Sequence, residues 1–356
     1  MNIFDACATR PVPARRVAVC LVALAALLGA CRQPPAQTPS AAADSLAAPS
    51  GGTLRLATLN AEFLFDGEGS DGRVDFARSG DPQAARAYLR RVARLLARLE
   101  ADAIMLQEVE NANVLRRLAR TEPLAGMRYR AHFVQGADHF TGQDVGLLAR
   151  VPVTQTGRTD ERARVGDSGE DYGVSKNLYA RLRWQGTPLT LIGVHFLARP
   201  DDASREAKRE AQAAVIRRLV AREQQAGRVP VVLGDFNDFD AATPDVAAHQ
   251  PITDVLQTVK RAGPGPGDDL HSVMPRVSQN DRYTAFYDRD ADDAVDGPSE
   301  LSALDHILVG PALMPHLKAV RYVHGYDPAR GPDHFPIVAT FAPGETTAPP
   351  AANTRE

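Results

Sequence analysis

Short apolar runs that stop on a polar side chain recur along the chain. Residues 54–60 (LRLATLN) read as a strand ending in Asn60, and 103–109 (AIMLQEV) as a second with Glu108 near its end. Residues 144–149 (DVGLLA) and 189–195 (LTLIGVH) follow, the latter closing on His195. Residues 229–235 (VPVVLGD) are apolar without alternation, which predicts a buried strand leading into Asp235 and Asn237. Residues 304–309 (LDHILV) enclose Asp305 and His306, and 336–341 (PIVATF) come just after Asp333-His334. Helical spacing occurs in two places. Asp81-Pro82 is a cap and first turn before Leu89, Val92, Leu95, Leu96 and Leu99, with arginines between them. Ser204 opens a second helix, with Ala211, Val215, Ile216, Leu219 and Val220 on one face and Gly227 as its stop. Strands outnumber helices and many loops are long. That favours a layered α/β fold with antiparallel sheets over a doubly wound parallel sheet. No repeat at a fixed period is visible.

Composition narrows this picture. Of 356 residues, 44% are hydrophobic and 24% charged, which excludes wholesale disorder and a protein of many membrane spans. The formal net charge of −3 argues against coating nucleic acid by bulk charge, while leaving room for a local phosphate site. The three cysteines, Cys7, Cys20 and Cys31, all fall early, so a disulfide-built body and a cysteine-ligated zinc site in it are excluded. Arg15-Arg16 precede an apolar run at 17–28, too short to span a bilayer comfortably. Leu28-Gly-Ala-Cys31 then resembles a bacterial lipobox. It implies a signal peptide at 1–30, lipidation of Cys31, export, and anchoring on the periplasmic or outer side, which membrane fractionation would read. Residues 31–52 and 343–356, rich in Pro, Ala, Ser, Thr and Gly, are expected to be a flexible tether and tail. The folded body is then 53–342.

The polar groups at the strand ends carry the chemistry. A charge at such a place is costly to desolvate unless it is paired or holds a cation. Any single case can be a cap, but a whole set of acidic, amide and imidazole groups is better explained by one shared cavity. Carboxylates and amides without cysteine suit a hard cation, Mg²⁺ or Mn²⁺, with Glu108 the best single ligand and Glu62 a contributor two residues after Asn60.

Thr-Leu-Asn60, Leu-Gln-Glu108-Val-Glu-Asn, Gly-Val-His195, Gly-Asp235-Phe-Asn237-Asp, Leu-Asp305-His-Ile-Leu and Pro-Asp333-His334-Phe-Pro together resemble the endonuclease/exonuclease/phosphatase superfamily. Order and rough spacing match over 53–342, and Gly-Asp-Phe-Asn is the most specific motif. The resemblance implies a four-layer α/β/β/α sandwich of two packed, largely antiparallel sheets with the site at one edge. It implies that Glu108, Asn60 and Asp333 hold the metal. His334 would activate water or contact the scissile phosphate, oriented by Asp305. Asp235 and Asn237 would face the phosphate and the attacking water. His195 would donate to a phosphate oxygen or the leaving group, with Asp144 as the carboxylate that pairs with it. Which of Asp235 and His334 takes the proton stays open.

Other residues are weaker candidates. Lys176 and Asn177 are placed to touch phosphate or to serve as turn residues. Tyr283 lies in a segment near the site in related sequences, or in the core. His132, His139, His271, His306 and His324 read as structural or exposed. The acidic stretch Asp288–Asp296 reads as a solvated loop, since Asp293 stands where an EF-hand needs Gly. After His195 the chain reads Phe-Leu-Ala-Arg199-Pro, where many relatives carry Lys-Ser. No long basic run with interleaved aromatics marks an extended nucleic-acid groove. The expectation is a monomeric Mg²⁺-dependent phosphoesterase, first a nuclease-type phosphodiesterase. The alternatives are a phosphomonoesterase, a sphingomyelinase-like phospholipid diesterase or, remotely, a catalytically silent binding lipoprotein. The partner is a phosphate ester of nucleic acid, nucleotide, inositol phosphate or phospholipid, with the membrane reached through the lipid.

Overall fold

The computed structural model describes residues 52–343, save 70, 71, 75, 77, 201 and 264. The expectations for the signal peptide, for Cys31 and for the tether and tail beyond Gly52 and Pro343 lie outside the described residues.

Along the chain the elements are β1 (Leu54–Leu64), α1 (Pro82–Leu99), β2 (Ala103–Val109), α2 (Ala112–Ala119), α3 (Glu122–Ala125), β3 (Arg130–Phe133), β4 (Asp144–Ala149) and β5 (Val153–Gly157). Then come β6 (Arg162–Arg164), β7 (Asp171–Gly173), β8 (Lys176–Trp184), β9 (Thr187–His195), α4 (Ala203–Gln225), β10 (Val229–Asp235) and α5 (Val255–Lys260). The last are β11 (His271–Ser272), β12 (Ala285–Phe286), β13 (Leu301–Ser302), β14 (Asp305–Val309), β15 (Leu317–Tyr322) and β16 (Ile337–Phe341). One six-stranded sheet has the order β15-β16-β1-β2-β4-β3, the other β11-β14-β10-β9-β8-β5. Within them only β1·β2 and β9·β10 are parallel. A parallel pair needs a crossover, and α1 and α4 are those crossovers.

Alternation along the strands builds the layers. Leu56 and Met105 face Leu178, Leu191 and Leu233 between the sheets. Their neighbours Ala57 and Ile104 point the other way, against Leu89, Val92 and Leu96 of α1. In β10, Val231 and Leu233 face the other sheet, while Val232 meets Val215, Ile216 and Leu219 of α4. Both faces of β10 are covered, which is why its sequence is apolar without alternation. The result is α/β/β/α, with α1 to α3 outside one sheet and α4 and α5 outside the other. Gly193 of β9 lets the sheets approach there, since a Cβ would stand 2.4 Å from Met105 Sδ. Local signals set the helix ends. Asp81 accepts from the N–H of Gln83 and Ala84 at 3.0 and 2.9 Å, with Pro82 in the first turn. Asp202, two residues before the expected start at Ser204, caps α4 through the N–H of Ser204.

A buried acid in this outer layer is held by an ion network. Glu223 of α4 has no exposed side-chain surface and takes Arg181 Nε and Nη2 at 3.0 and 2.7 Å, Arg228 Nε at 2.6 Å and Thr190 Oγ1 at 2.7 Å. Burial alone would raise its carboxyl, but these donors outweigh it and bring the pKa down to about 2. A folded-state value below the usual 4.5 means that its stabilisation is full above that pH and is lost as pH falls toward about 2. Glu223→Ala is expected to cost on the order of 3 kcal/mol at pH 7, because it leaves the half-buried guanidinium groups of Arg181 and Arg228, and the buried Thr190 hydroxyl, without their partner. Urea titrations at pH 7 and pH 3 should show the variant's deficit shrinking at the lower pH; a deficit of equal size at both would remove the ion network as its cause.

Candidate active site

Topology gathers the polar strand ends at one edge. Asn60 and Glu108 lie toward the C-terminal ends of the parallel β1 and β2, and His195 and Asp235 end the parallel β9 and β10. Strands antiparallel to these begin at the same edge: β14 starts at Asp305, opposite Asp235, and β16 follows closely on Asp333-His334. Asp235 thus has His195 on one side in register and Asp305 on the other.

The side chains meet there. Asn60 Nδ2 donates to Glu108 Oε1 at 3.2 Å and to Asp235 Oδ2 at 3.1 Å, tying the two sheets together across the edge. His195 Nε2 lies 3.5 Å from Asp235 Oδ2 and 3.9 Å from Glu108 Oε1. The N–H of Asn237 donates to Asp235 Oδ1 at 2.8 Å, and Asn237 Nδ2 donates to the carbonyl of Phe196 at 3.2 Å. His334 Nδ1 is 2.6 Å from Asp305 Oδ2. Asn60, His195, Asp235, Asn237, Asp305 and His334 are buried, while Glu108 and Asp333 keep partial exposure.

Backbone strain concentrates at this edge. Glu62, Phe63, Glu108 and Asn237 all have positive φ, between 44° and 60°. Conformations of this kind in non-glycine residues persist only where the surroundings hold them, and they cluster at functional sites. β1 does not stop at Asn60 as its sequence suggests. It runs to Leu64 through a register shift after Asn60, and β2 shifts likewise between Leu106 and Val109. Such bulges re-aim side chains. Here the N–H of Phe63 donates to Glu108 Oε2 at 2.9 Å and that of Glu62 to Asn60 Oδ1 at 3.1 Å, so each bulge holds a site residue. Gly234 permits the turn into Asp235: its φ is +140°, and a Cβ would lie 2.1 Å from the Val194 carbonyl oxygen.

Electrostatics mark the same place. Burial, then the charge of Asp305, lifts Asp235 to about 7. Burial, then the charge of Asp333, lifts Glu62 to about 7. Asp333 is raised by burial and by Glu108 and Asp305, against the pull of His334. Burial opposes charge on His334, yet Asp305, Asp333 and Asp235 outweigh it and hold the ring well above the usual range. Burial, Lys176 and His334 hold His195 well below it. The edge is therefore short of positive charge, and Asp305 Oδ1 is buried without a hydrogen-bond partner. Such an oxygen-rich, cysteine-free and under-neutralised cluster fits a hard divalent cation. Among the described residues, the only three acidic, His or Cys side chains whose ligand atoms all lie within 4.8 Å are Asp288, Asp290 and Asp292.

Not every expected contact forms. Asp144 does not pair with His195: it accepts from Gln135 Nε2 at 2.6 Å, and His195 Nδ1 is buried without a hydrogen-bond partner. Asp144 begins β4 in the other sheet, where its own loop supplies a donor first. Its pKa rises to about 6, mainly through burial. Lys176 begins β8 opposite His195, but its ammonium is taken by Gln143 Oε1 at 2.8 Å and Asp138 Oδ2 at 3.2 Å. Asn177 is buried and holds the loop at Thr159 and Val174. His306 and His324 bond the carbonyls of Asp238 and Tyr283, and the Tyr283 ring stacks on His324. Asp288 bonds the N–H groups of Ala291 and Asp293, ordering its own loop. The departure after His195 is anchored from α4: the buried Arg209 donates to the carbonyls of Arg199 and Pro200 at 2.7 and 3.1 Å.

Sequence reasoning missed several braces. Thr284 Oγ1 accepts from the N–H of Leu304 and Asp305 at 3.0 and 2.9 Å, and its carbonyl accepts from Phe335, so it aligns the Asp305 and His334 segments. The Tyr326 hydroxyl donates to the His334 carbonyl. Tyr88 of α1 donates to Glu62 Oε2 at 3.0 Å, and Arg78 stacks on the Tyr88 ring.

The family described as Endonuclease/Exonuclease/phosphatase matches residues 57–326. A 3'-5' exonuclease from Neisseria meningitidis has a similar fold, with a TM-score of 0.53, 20% identity, and 81% of this chain and 100% of that chain covered. An AP endonuclease from Archaeoglobus fulgidus gives 0.51 at 18% identity, covering 81% and 99%. An endonuclease/exonuclease/phosphatase from Bacteroides vulgatus gives 0.52 at 21%, covering 82% and 99%. At these identities the likeness to solved structures is one of fold. No curated protein matches the sequence.

Proposed function

Since the chain belongs to the endonuclease/exonuclease/phosphatase family and is thereby a phosphoric ester hydrolase, we propose that it hydrolyses phosphodiesters of the nucleic-acid type at the edge formed by Asn60, Glu108, His195, Asp235, Asn237, Asp305, Asp333 and His334. The observation that carries this reading is the joining of two groups at that edge: the Glu108–Asn60–Asp235–His195 contacts and the Asp305–His334 pair. A binding protein has no use for a buried cluster of carboxylates short of positive charge, which argues against the silent lipoprotein.

Each residue has a task. Asp305 holds Nδ1 of His334, so the ring, charged among Asp305, Asp333 and Asp235, offers Nε2–H to a phosphoryl oxygen. Asp235, fixed through both oxygens by Asn60 and Asn237, accepts the proton of the attacking water. His195 orients Asp235, and Asn237 positions the water. Glu108, Asn60 and Asp333 would hold Mg²⁺ or Mn²⁺, which when bound would supply Lewis-acid neutralisation of the phosphoryl charge. Beside these residues an open cleft of about 410 Å³ runs from Glu62 and Asp333 past Arg78, Arg91 and Arg330 to Tyr287, whose ring is 71% exposed. Three arginines share this cleft with four carboxylates, Glu62, Asp288, Asp293 and Asp333, and the exposed Tyr287 ring offers a base a face to stack on. The exonuclease and AP endonuclease among the structural relatives support the same substrate class.

The test is a substrate panel on the purified protein with Mg²⁺: plasmid DNA, bis-p-nitrophenyl phosphate, p-nitrophenyl phosphate and sphingomyelin. DNA and the diester should be cleaved, EDTA should abolish cleavage, and added Mg²⁺ or Mn²⁺ should restore it. Cleavage of the monoester or of sphingomyelin alone moves the substrate class, and chelator-resistant turnover removes the cation.

A further inference from the structure

We propose that the groove between α1 and the α2–α3 segment is a second anion site, which takes a nucleoside phosphate. It has a volume of about 520 Å³. Phe65, Ala85 and Leu89 supply apolar lining, and Arg86, Arg90, Arg94, Arg117 and Arg120 line it with five guanidinium groups. Asp66 and Glu122 are its only carboxylates among the described lining residues. Arg117 lies 3.4 Å from Asp66, and Arg86 4.0 Å from Glu68. Arg90, Arg94 and Arg120 enter no ion pair among the described residues and are exposed.

Three observations point to a ligand. First, the whole chain carries a formal net charge of −3, so this concentration of cations is not a by-product of a basic protein. Second, Arg86, Arg90 and Arg94 repeat at four-residue spacing on one face of α1, an arrangement of like charges that destabilises a helix. Third, the groove is concave and joins guanidinium forks to apolar lining. Guanidinium groups bind phosphate in a bidentate manner and stack on planar rings, so together they match a ligand with an anionic head and a flat apolar body. Inorganic phosphate would leave the apolar lining uncovered, and a bilayer surface, being flat, would not enter the groove. A nucleoside phosphate satisfies both parts, either free or as one nucleotide of a strand. The groove adjoins the active edge: Phe65 lies two residues beyond Phe63, whose N–H holds Glu108, and Tyr88 of α1 holds Glu62. The inference uses none of the residues assigned to catalysis and stands whether or not the diesterase reading does.

The experiment measures fluorescence anisotropy of labelled AMP and of labelled dT12 on the full chain in EDTA, comparing the natural sequence with R90E/R94E. Cosedimentation of both proteins with phosphatidylglycerol vesicles is a third arm. Hydrolysis of bis-p-nitrophenyl phosphate is followed in parallel with Mg²⁺. The double variant is expected to bind at least tenfold more weakly. Its dependence of log affinity on log salt for dT12 should be shallower by about 1.4 units, because two phosphates of a single strand are no longer neutralised. Its turnover of the small diester should be unchanged. Tighter binding of dT12 than of AMP makes the source a strand; equal binding makes it a free nucleotide. Equal affinity of the two proteins for both probes overturns the proposal. So does weakening confined to the vesicles, which would make the face a membrane contact. If the natural sequence fails on the small diester while R90E/R94E still loses the probe, the diesterase reading falls and the groove stands.

Discussion

His334→Ala is expected to lower turnover of a phosphodiester by about 10⁴-fold, with substrate affinity changed far less. The ring is buried among Asp305, Asp333 and Asp235, and it is the imidazole that Asp305 fixes at 2.6 Å. Its loss removes both a proton and a positive charge from the point where negative charge grows. The substitution also leaves Asp305 buried without its partner, a cost of about 3 kcal/mol in stability, so near-ultraviolet circular dichroism and thermal unfolding must accompany the kinetics. A double-mutant cycle separates the two effects. If Asp305 acts by orienting His334, then Asp305→Asn should be strongly harmful alone and nearly harmless in the His334→Ala background. Additive losses would mean that Asp305 has its own task, and near-normal turnover in His334→Ala would take the ring out of the mechanism.

Asp235→Asn should produce opposite changes in activity and stability. The amide keeps the shape and leaves one oxygen for the N–H of Asn237, but it cannot accept a proton, so turnover should fall by at least about 10³-fold. Stability should rise. Burial and Asp305 lift the Asp235 carboxyl to about 7, so at pH 8 the metal-free protein pays to keep it ionised. Removing that charge is expected to raise the thermal midpoint in EDTA by roughly 2 °C or more. A site residue that lowers activity and raises stability when replaced is one held against its own solvation for a purpose. A variant that unfolds earlier than the natural sequence in EDTA, or that keeps normal turnover, would refute this account of Asp235.

Much of this fold was legible because its signals are local. The runs at 103–109, 144–149 and 229–235 became β2, β4 and β10, and the cap Asp81-Pro82 began α1 where expected. Strand β3, strand β15 and the short helices α2 and α5 were not read. They are brief, and their burial depends on neighbours supplied by other segments. The accessory candidates Asp144 and Lys176 take partners the sequence did not indicate, for a related reason. A sequence shows that a carboxylate or an ammonium is available, but not which donor or acceptor reaches it first, and here Gln135 and Asp138 did.

By itself the sequence determined which side chains of catalytic chemistry stand at the ends of apolar strands, since period and polarity are properties of adjacent residues. Only the tertiary structure decided that Asn60 touches Asp235 across 175 positions, that bulges turn Glu62 and Glu108 into the edge, and that arginines of two helices line one groove. Those outcomes depend on strand order, register and sheet stacking. They are set by hydrogen bonds and packing between distant segments, which no local pattern of residues encodes.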